Sequence, residues 1–543
     1  MMRSGFWFFS ILMVTLGASA FAYDWSTNPG DGSPQNPYQI SEPNHLIALG
    51  NDVAISQENG YSFVLMNDIV FDPNNNPNHV FSRSVIPILK GSLDGRGFTI
   101  ENLKISITTY NNEPVGLIGT YDNGHIENLS IRNAQITVGT NFQKVGILCG
   151  LNGRYIYNCR INGTITCGSG SKKIGGICGS NGDMSFIGDI AHCQSDIIIT
   201  KLSARSGISE CGGICGYNQG TIAHCSSSGT ISAYSLTDTG GVCGWQEYGK
   251  IISSFSSADI SAQYYLGTTG GFCGNNNING AISHSCAIGN VSCEKSIYYV
   301  GGFCGRNGQG MIDTCYSTGN VSCGPKDLNS ISEEKSGGFC GYNSGGGSEI
   351  ADCYSTGNVV CGPITPGMPK QRWVAGFCGT NSELIKNCYS TGTVQTDATL
   401  KAGFCYMNDD RLENCFWNTD TSGILTAIAG GAIAGVTGKT TAQMKDADTF
   451  LNVGWDFLGE TENGQNEIWR MCTDDADYPR LSWEFARNGD FACGDGVDLA
   501  DLQALAENWL TASTAADFHY ACDANGDEQI NLNDFGVLSE NWH

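Results

Sequence analysis

Charge is scarce in this chain: Asp, Glu, Lys and Arg together make up 15% of its 543 residues. Basic residues are rarer still, 28 Lys and Arg against 53 Asp and Glu, for a formal charge of −25 at pH 7. Nothing basic is clustered enough to neutralise a phosphate backbone, which excludes a nucleic-acid binder and points towards calcium or basic partners. Beyond the N-terminus no stretch approaches the ~20 apolar residues that a membrane span needs. None of the 8 histidines forms an HExxH pair, and no CxxC pair occurs. Nor does a Gly-x-Ser-x-Gly elbow or a phosphate loop stand between a strand and a helix.

What the chain has is cysteine, 25 residues, and glycine, 73. The segment VGGFCGRNGQGMIDTCYSTGNVSC, residues 300–323, reappears as GGICGYNQGTIAHCSSSGTIS from Gly212, GGFCGYNSGGGSEIADCYSTGNVVC from Gly337 and AGFCGTNSELIKNCYSTGTV from Ala375. Each copy reads Gly-Gly-apolar-Cys-Gly, an Asn-and-Gly turn, an apolar residue, a second Cys and a β-branched run. The first cysteines are Cys149, Cys178, Cys215, Cys243, Cys273, Cys304, Cys340, Cys378 and Cys405, spaced 27 to 38 residues apart. An earlier copy from Val115 has Ile118 in the cysteine place, which makes ten copies.

The segments between glycines are too short for helices and rich in Ile, Val, Phe, Thr and Ser. Each copy is therefore predicted to form two or three short strands. One such unit cannot bury its own apolar face, whereas stacked units can, so a solenoid is expected. The excess length of the longer copies, Cys323 to Ser336 and Cys361 to Trp373, is expected to form loops on one edge.

The N-terminal MMRSGFWFFSILMVTLGASAFA carries an apolar run from Phe6 to Leu16 and small residues at Ala18, Ala20 and Ala22. This predicts a secretory signal over 1–22 and a mature protein that is extracellular or on the cell surface. All the cysteines follow it, in a compartment where disulfides form. Two readings stay open for them: small hydrophobes stacked up the coil, or extensive pairing. Phe255 reads as the substitute for a second cysteine in the copy of Cys243.

Residues 23–60 are expected to cap the first coil with a short helix around Leu46, Ile47 and Leu49, leaving 61–420 as the solenoid. Residues 421–485 bring Trp455, Phe457, Trp469 and Trp483, which either close the last coil or form a platform for carbohydrate. A β-helix can also carry a glycosidase or lyase, which needs two carboxylates brought together from neighbouring coils. Here the acids are scattered, at Asp259, Asp313, Asp352, Glu383, Asp409 and Asp410, the last two beside Arg411. His192, His224 and His284 recur near the second cysteine and can stack.

The lead-in FVLMNDI, GSLDGRGFTIENLKI and Gly-Leu-Ile-Gly at Gly116 to Gly119 resembles GLUG-repeat proteins over about residues 40–420. That resemblance implies a mainly β, right-handed parallel β-helix of an extracellular bacterial protein, often adhesive, and carries no catalytic residues.

In residues 486–543 the pattern changes: Asp490 to Trp509 and Asp523 to Trp542 repeat at an offset of 33. Asp523, Asn525, Asp527, Asn531 and Asp534 hold positions 1, 3, 5, 9 and 12 of a calcium loop, with the Gln529 carbonyl at 7. In the first half Asp490, Asp498 and Asp501 hold positions 1, 9 and 12, and Asp495 is placed to replace a missing oxygen; a weaker site and a structural turn both stay open. Cys493 and Cys522 are expected to pair. Two calcium loops, each followed by a single helix, resemble a type I dockerin, which implies a cohesin-like or other anchoring partner. The expectation is thus a non-catalytic scaffold or adhesion protein held by calcium, with a possible glycan or cell-surface ligand on the coil and a polysaccharide-degrading enzyme as the alternative.

Overall fold

The computed structural model describes residues 23–58, 60–183, 186–201, 209–233, 237–262, 267–294, 299–325, 333–363, 372–397, 401–460, 462–464, 466–472, 477–486, 489–492, 497–512, 522, 524 and 529–542. The secretory segment lies outside the described residues, as do 326–332 and 364–371 in the expected loops.

The described chain is a mainly β, parallel solenoid of about ten turns. Each copy of the repeat lays down one coil, and equivalent strands of successive coils pair in parallel. One sheet runs through twelve strands from Ile86–Leu89 to Ile428–Gly431, and a second through thirteen from Tyr38–Ile40 to Leu412–Glu413. A third face carries strands such as Arg160–Cys167 and Gln194–Lys201. A fourth sheet of seven strands, from Ile174–Gly175 to Arg372–Ala375, precedes the Gly-Gly start. Two or three strands per copy do not account for it, because its strands are as short as two residues and end in small residues that carry no periodicity.

The first-cysteine row is in unbroken register. Ile86 and Ile118 stand below Cys149, every first cysteine follows in turn, and Ile428 stands above Cys405. The described cysteines of the coils are buried thiols. In-register parallel neighbours lie about 4.8 Å apart with their Cβ bonds parallel, further than the ~3.5–4.5 Å between Cβ atoms that a disulfide spans. The stacked reading of the cysteines therefore holds, and isoleucine at both ends shows that the row requires apolar volume.

The second row follows another rule. Phe255 does not stand in for a cysteine: it pairs with Ser226 and Cys286, and Ser254 takes the position, donating from Oγ to the Ile252 carbonyl at 2.9 Å. Cys225 donates likewise to Ala223 at 3.2 Å and Cys315 to Asp313 at 3.0 Å. Each bond closes over a residue in the left-handed region, His224, Ser253 or Thr314, with φ of 51°, 47° and 48°. This corner selects a small donor, so serine and cysteine exchange there and phenylalanine does not.

The asparagine three positions after each first cysteine is not a turn residue. Asn152, Asn181, Asn218, Gln246, Asn276, Asn307, Asn343, Asn381 and Asn408 point inward and are at most 1% exposed. Up to Asn381, each amide nitrogen donates to the amide oxygen of the next coil, at 2.8 Å from Asn152 to Asn181 and 2.9 Å from Asn307 to Asn343. Phe272, Phe303, Phe339, Phe377 and Phe404 form a second stack, with ring centroids 4.7 to 4.9 Å apart.

At the start, the helix Pro43–Asn51 buries Leu46, Ala48 and Leu49. At the far end, Ile428–Gly431 and Val436–Lys439 lay the last parallel segments. The aromatic segment that follows does not close the last coil but packs along the flank. Tyr316, Tyr354 and Tyr389 stack outside successive coils at 5.0 and 5.1 Å, an apolar strip that needs cover. Trp455 and Trp469 bury fully against it. Trp483, Trp469 and Trp455 donate to the Thr314 carbonyl, Asp352 Oδ1 and the Asn414 carbonyl at 3.0, 3.1 and 3.0 Å. Buried Trp455 and Trp469 offer no platform to carbohydrate.

A Cβ on Gly302 would lie 2.1 Å from the Gly338 carbonyl oxygen of the next coil. Gly302→Ala is expected to cost about 1–3 kcal/mol in denaturant unfolding. Cys304→Ser can keep the bond that the thiol gives the Arg306 carbonyl at 3.1 Å but removes apolar volume from a row that isoleucine also fills, and is expected to cost about 1–3 kcal/mol. Cys315→Ser, in the row that already accepts serine, should cost less than about 1 kcal/mol; equal losses would contradict the two-rule account.

Candidate functional site

The offset of 33 in the C-terminal sequence becomes two helices with the same start. Leu499–Glu507 is capped by Asp498, whose carboxylate accepts from the Ala500 N–H at 2.7 Å. Leu532–Asn541 is capped by Asn531, which accepts from the Asn533 N–H at 2.9 Å. In each half the position-12 aspartate fastens both ends of its loop. Asp501 accepts from Ala492 and Asp498 N–H, both at 2.7 Å, and Asp534 from Ala524 and Asn531 N–H at 2.8 and 2.7 Å. Both carboxylates are buried. The halves meet where Gln529 bridges to Ala512 and Ile530 exchanges backbone hydrogen bonds with Leu510 and Thr511.

Among the sequence-predicted ligands, Asp498, Asp501, Gln529, Asn531 and Asp534 gather at the ends of the two loops, while Asp495, Asp523, Asn525 and Asp527 lie outside the described residues. The donor set is carboxylate, amide and carbonyl oxygen, which fits a hard cation such as Ca²⁺. Asp490 differs: its carbonyl and carboxylate take Arg470 at 3.0 and 3.5 Å, so a guanidinium sits at position 1 of the first loop. Sequence reasoning missed Arg470, which no repeat marks.

The expected Cys493–Cys522 pair is not formed. Cys522 is a buried thiol in a small core with Phe491, Leu505, Ile530 and Leu538, and burial pushes it up to about 12. Cys472 is disulfide-bonded, and Cys493 lies outside the described residues.

On the coils, Asp409 and Asp410 are exposed, and Arg411 pairs with Glu413 at 3.0 Å. Asp259 accepts from the Asn290 N–H at 2.9 Å and Glu383 from the Gly347 N–H at 3.2 Å. These are turn contacts. His192 and His224 stack at 4.7 Å, while His284 lies near Trp483. Asp313 and Asp352 do come together from adjacent coils. Burial pushes Asp313 up to about 6, and burial, then the neighbouring Asp313, pushes Asp352 up to about 7. Asp352 is only 5% exposed beneath Trp469, and its Oδ1 accepts from both Trp469 Nε1 and Asn387 Nδ2 at 3.1 Å.

Among the described residues, donors suited to a metal also converge at Cys323, Glu334 and Cys361, whose ligand atoms lie within 4.8 Å of one another. Arg372 already serves that carboxylate, at 2.9 and 3.1 Å.

The GLUG motif matches this chain at residues 296–322 and 335–360, where two of the cysteine-bearing coils lie. Halomucin of Haloquadratum walsbyi is 34% identical over 126 residues, 23% of this chain; the chain spans about 1% of the length of that curated relative. A solved structure from Bacteroides ovatus, of a protein proposed to be an immunoglobulin A1 protease, superimposes with a TM-score of 0.36 at 20% identity, over 59% of this chain and 85% of that one.

Asp352 titrates near 3.9 in an unfolded chain and near 7 in the fold. Its contribution is therefore fully present below pH 4 and is lost as pH rises through 7. Asp352→Asn keeps the acceptor for Trp469 and cannot ionise. It is expected to raise stability by about 2–4 kcal/mol at pH 8 and to leave it unchanged at pH 3. Melting curves at the two pH values check this.

Proposed function

We propose that this protein is an exported, elongated adhesion scaffold, tied to its surroundings by a calcium-dependent, dockerin-like C-terminal module. The GLUG coil is the displayed part, and the paired loop-helix units are the attachment. The observation that carries the reading is the duplicated fastening of Asp501 and Asp534. Two loops of calcium-site spacing are each drawn closed by a buried position-12 carboxylate, which takes the position-9 N–H and an N–H near the loop start, Ala492 at position 3 or Ala524 at position 2.

Calcium would be held in the second loop by Asp523, Asn525, Asp527, the Gln529 carbonyl, Asn531 and Asp534, and would supply rigidity rather than chemistry. In the first loop Arg470 meets the Asp490 charge, while Ala492 and Gly494 stand where ligand oxygens would be, so that half acts as a turn. The partner is a cohesin-like or other anchoring protein. Leu499 and Leu532, opening the two helices and 71% and 72% exposed, give it a duplicated apolar contact. The alternative, a polysaccharide-degrading enzyme, needs an open carboxylate pair. The pair on adjacent coils, Asp313 and Asp352, is roofed by Trp469.

Calorimetry of the chelated full chain with Ca²⁺ is expected to show one ion per chain. Asp523→Ala should weaken binding at least about tenfold, and Asp490→Asn should leave the stoichiometry at one. No heat and no thermal shift on adding Ca²⁺ would remove the attachment reading.

A further inference from the structure

On the third face of the early coils, the strands Ser130–Val138, Arg160–Cys167, Gln194–Lys201 and Ser226–Ala233 run for eight or nine residues each, whereas later coils break here into shorter pieces. The first of these strands bends where its register shifts between Ile131 and Ala134 and Asn133 takes a φ of 52°. Their outward side chains form two rows along the solenoid axis. One is Ser130, Arg160, Gln194, Ser226; the other is headed by Arg132 and continues through Asn162, Asp196 and Ser228. Between the rows lies a shallow groove of about 180 Å³, open to solvent.

Two cations meet in this groove. Arg132 and Arg160 are exposed, and neither guanidinium has an ion-pair or hydrogen-bond partner among the described residues. Arg372, Arg411, Arg470 and Arg480, by contrast, each hold a carboxylate. The one acid in the groove, Asp196, is satisfied within its own row by Asn162 Nδ2 at 3.1 Å and Ser228 Oγ at 3.0 Å. In a chain of formal charge −25, these two cations on adjacent coils repel each other, and Glu101, the register neighbour of Arg132 one coil below, forms no ion pair with it among the described residues. An anion between them removes that cost, and a guanidinium fork matches a carboxylate or sulfate group bidentately. Apart from Ile131 and Ile161 at its floor, the remaining lining consists of amides and hydroxyls, the complement of a polyol, and it holds no aromatic face on which a nucleic-acid base would stack.

We propose that this groove binds an acidic polysaccharide. Arg132 and Arg160 take a carboxylate or sulfate group, and Asn162, Gln194, Ser226 and Ser228 take sugar hydroxyls. The inference deepens the adhesion role proposed above by giving the coil a ligand, and it rests on that reading. The net negative charge favours a sparsely charged glycan over a dense polyanion, which the rest of the surface would repel.

The test is affinity electrophoresis of the full chain in gels containing polygalacturonate, chondroitin sulfate or neutral dextran. EDTA in every gel prevents divalent cations from bridging acidic protein to acidic polymer. Retardation by either acidic polymer but not by dextran is expected, and which polymer retards identifies the anion. Arg132→Gln combined with Arg160→Gln should weaken binding at least tenfold, with the melting temperature and the Ca²⁺ titration unchanged because both side chains are exposed. The proposal is overturned by no retardation in the acidic gels, by equal retardation in dextran, or by undiminished binding of the double variant. Loss of Ca²⁺ binding in the wild type leaves the electrophoretic result intact and counts against the attachment module alone.

Discussion

A side chain buried in this solenoid has, as its neighbour one coil away, the residue at the same position of the next repeat. Every inward position must therefore be compatible with copies of itself at about 4.8 Å. Few side chains meet that condition. Isoleucine and phenylalanine do so by packing, and the phenylalanine rings tilt by only 1 to 6° from one coil to the next. Asparagine does so because one amide both donates and accepts. Ionised groups do not, and the interior ion pair of the coils, Arg372 with Glu334, joins unlike residues on adjacent coils. Chemistry on this molecule is thereby displaced to its outer face, its flank and its C-terminal appendage.

The same condition explains what the sequence makes legible. A row that repeats one residue type at every coil shows as a fixed interval, so the first cysteines and the solenoid itself follow from spacing alone. The second row was harder, because its requirement is a hydrogen bond to a carbonyl two residues back and not a residue type. Hydrophobic matching pointed to Phe255, whereas the backbone chose Ser254. The buried asparagines were hidden by their company: next to glycine they read as turns, and nothing in one repeat reveals that their partners lie in the next.

Non-repeating contacts were the least visible. The two C-terminal helices begin where Asp498 and Asn531 stand as caps, as their spacing implies. The Arg470 contact to Asp490 joins segments that share no periodicity and left no trace in the pattern. The flank packing of Trp455, Trp469 and Trp483 escaped for a related reason: a segment that follows the last coil in sequence is naturally placed on its end. Only the outward tyrosine stack shows that the unsatisfied apolar surface runs down the side. That strip binds the appended segment across several coils at once, so separating it would expose all of them together.

The row of buried amides has one more property. From Asn152 to Asn408 every nitrogen faces the C-terminal end, and the last donates to the Asp410 and Ala432 carbonyls at 3.0 and 2.9 Å. The small dipoles thus add head to tail and polarise one another, as peptide units do in a helix. The barrel of the molecule carries an internal electrical direction, positive towards its last coil, set entirely by uncharged side chains.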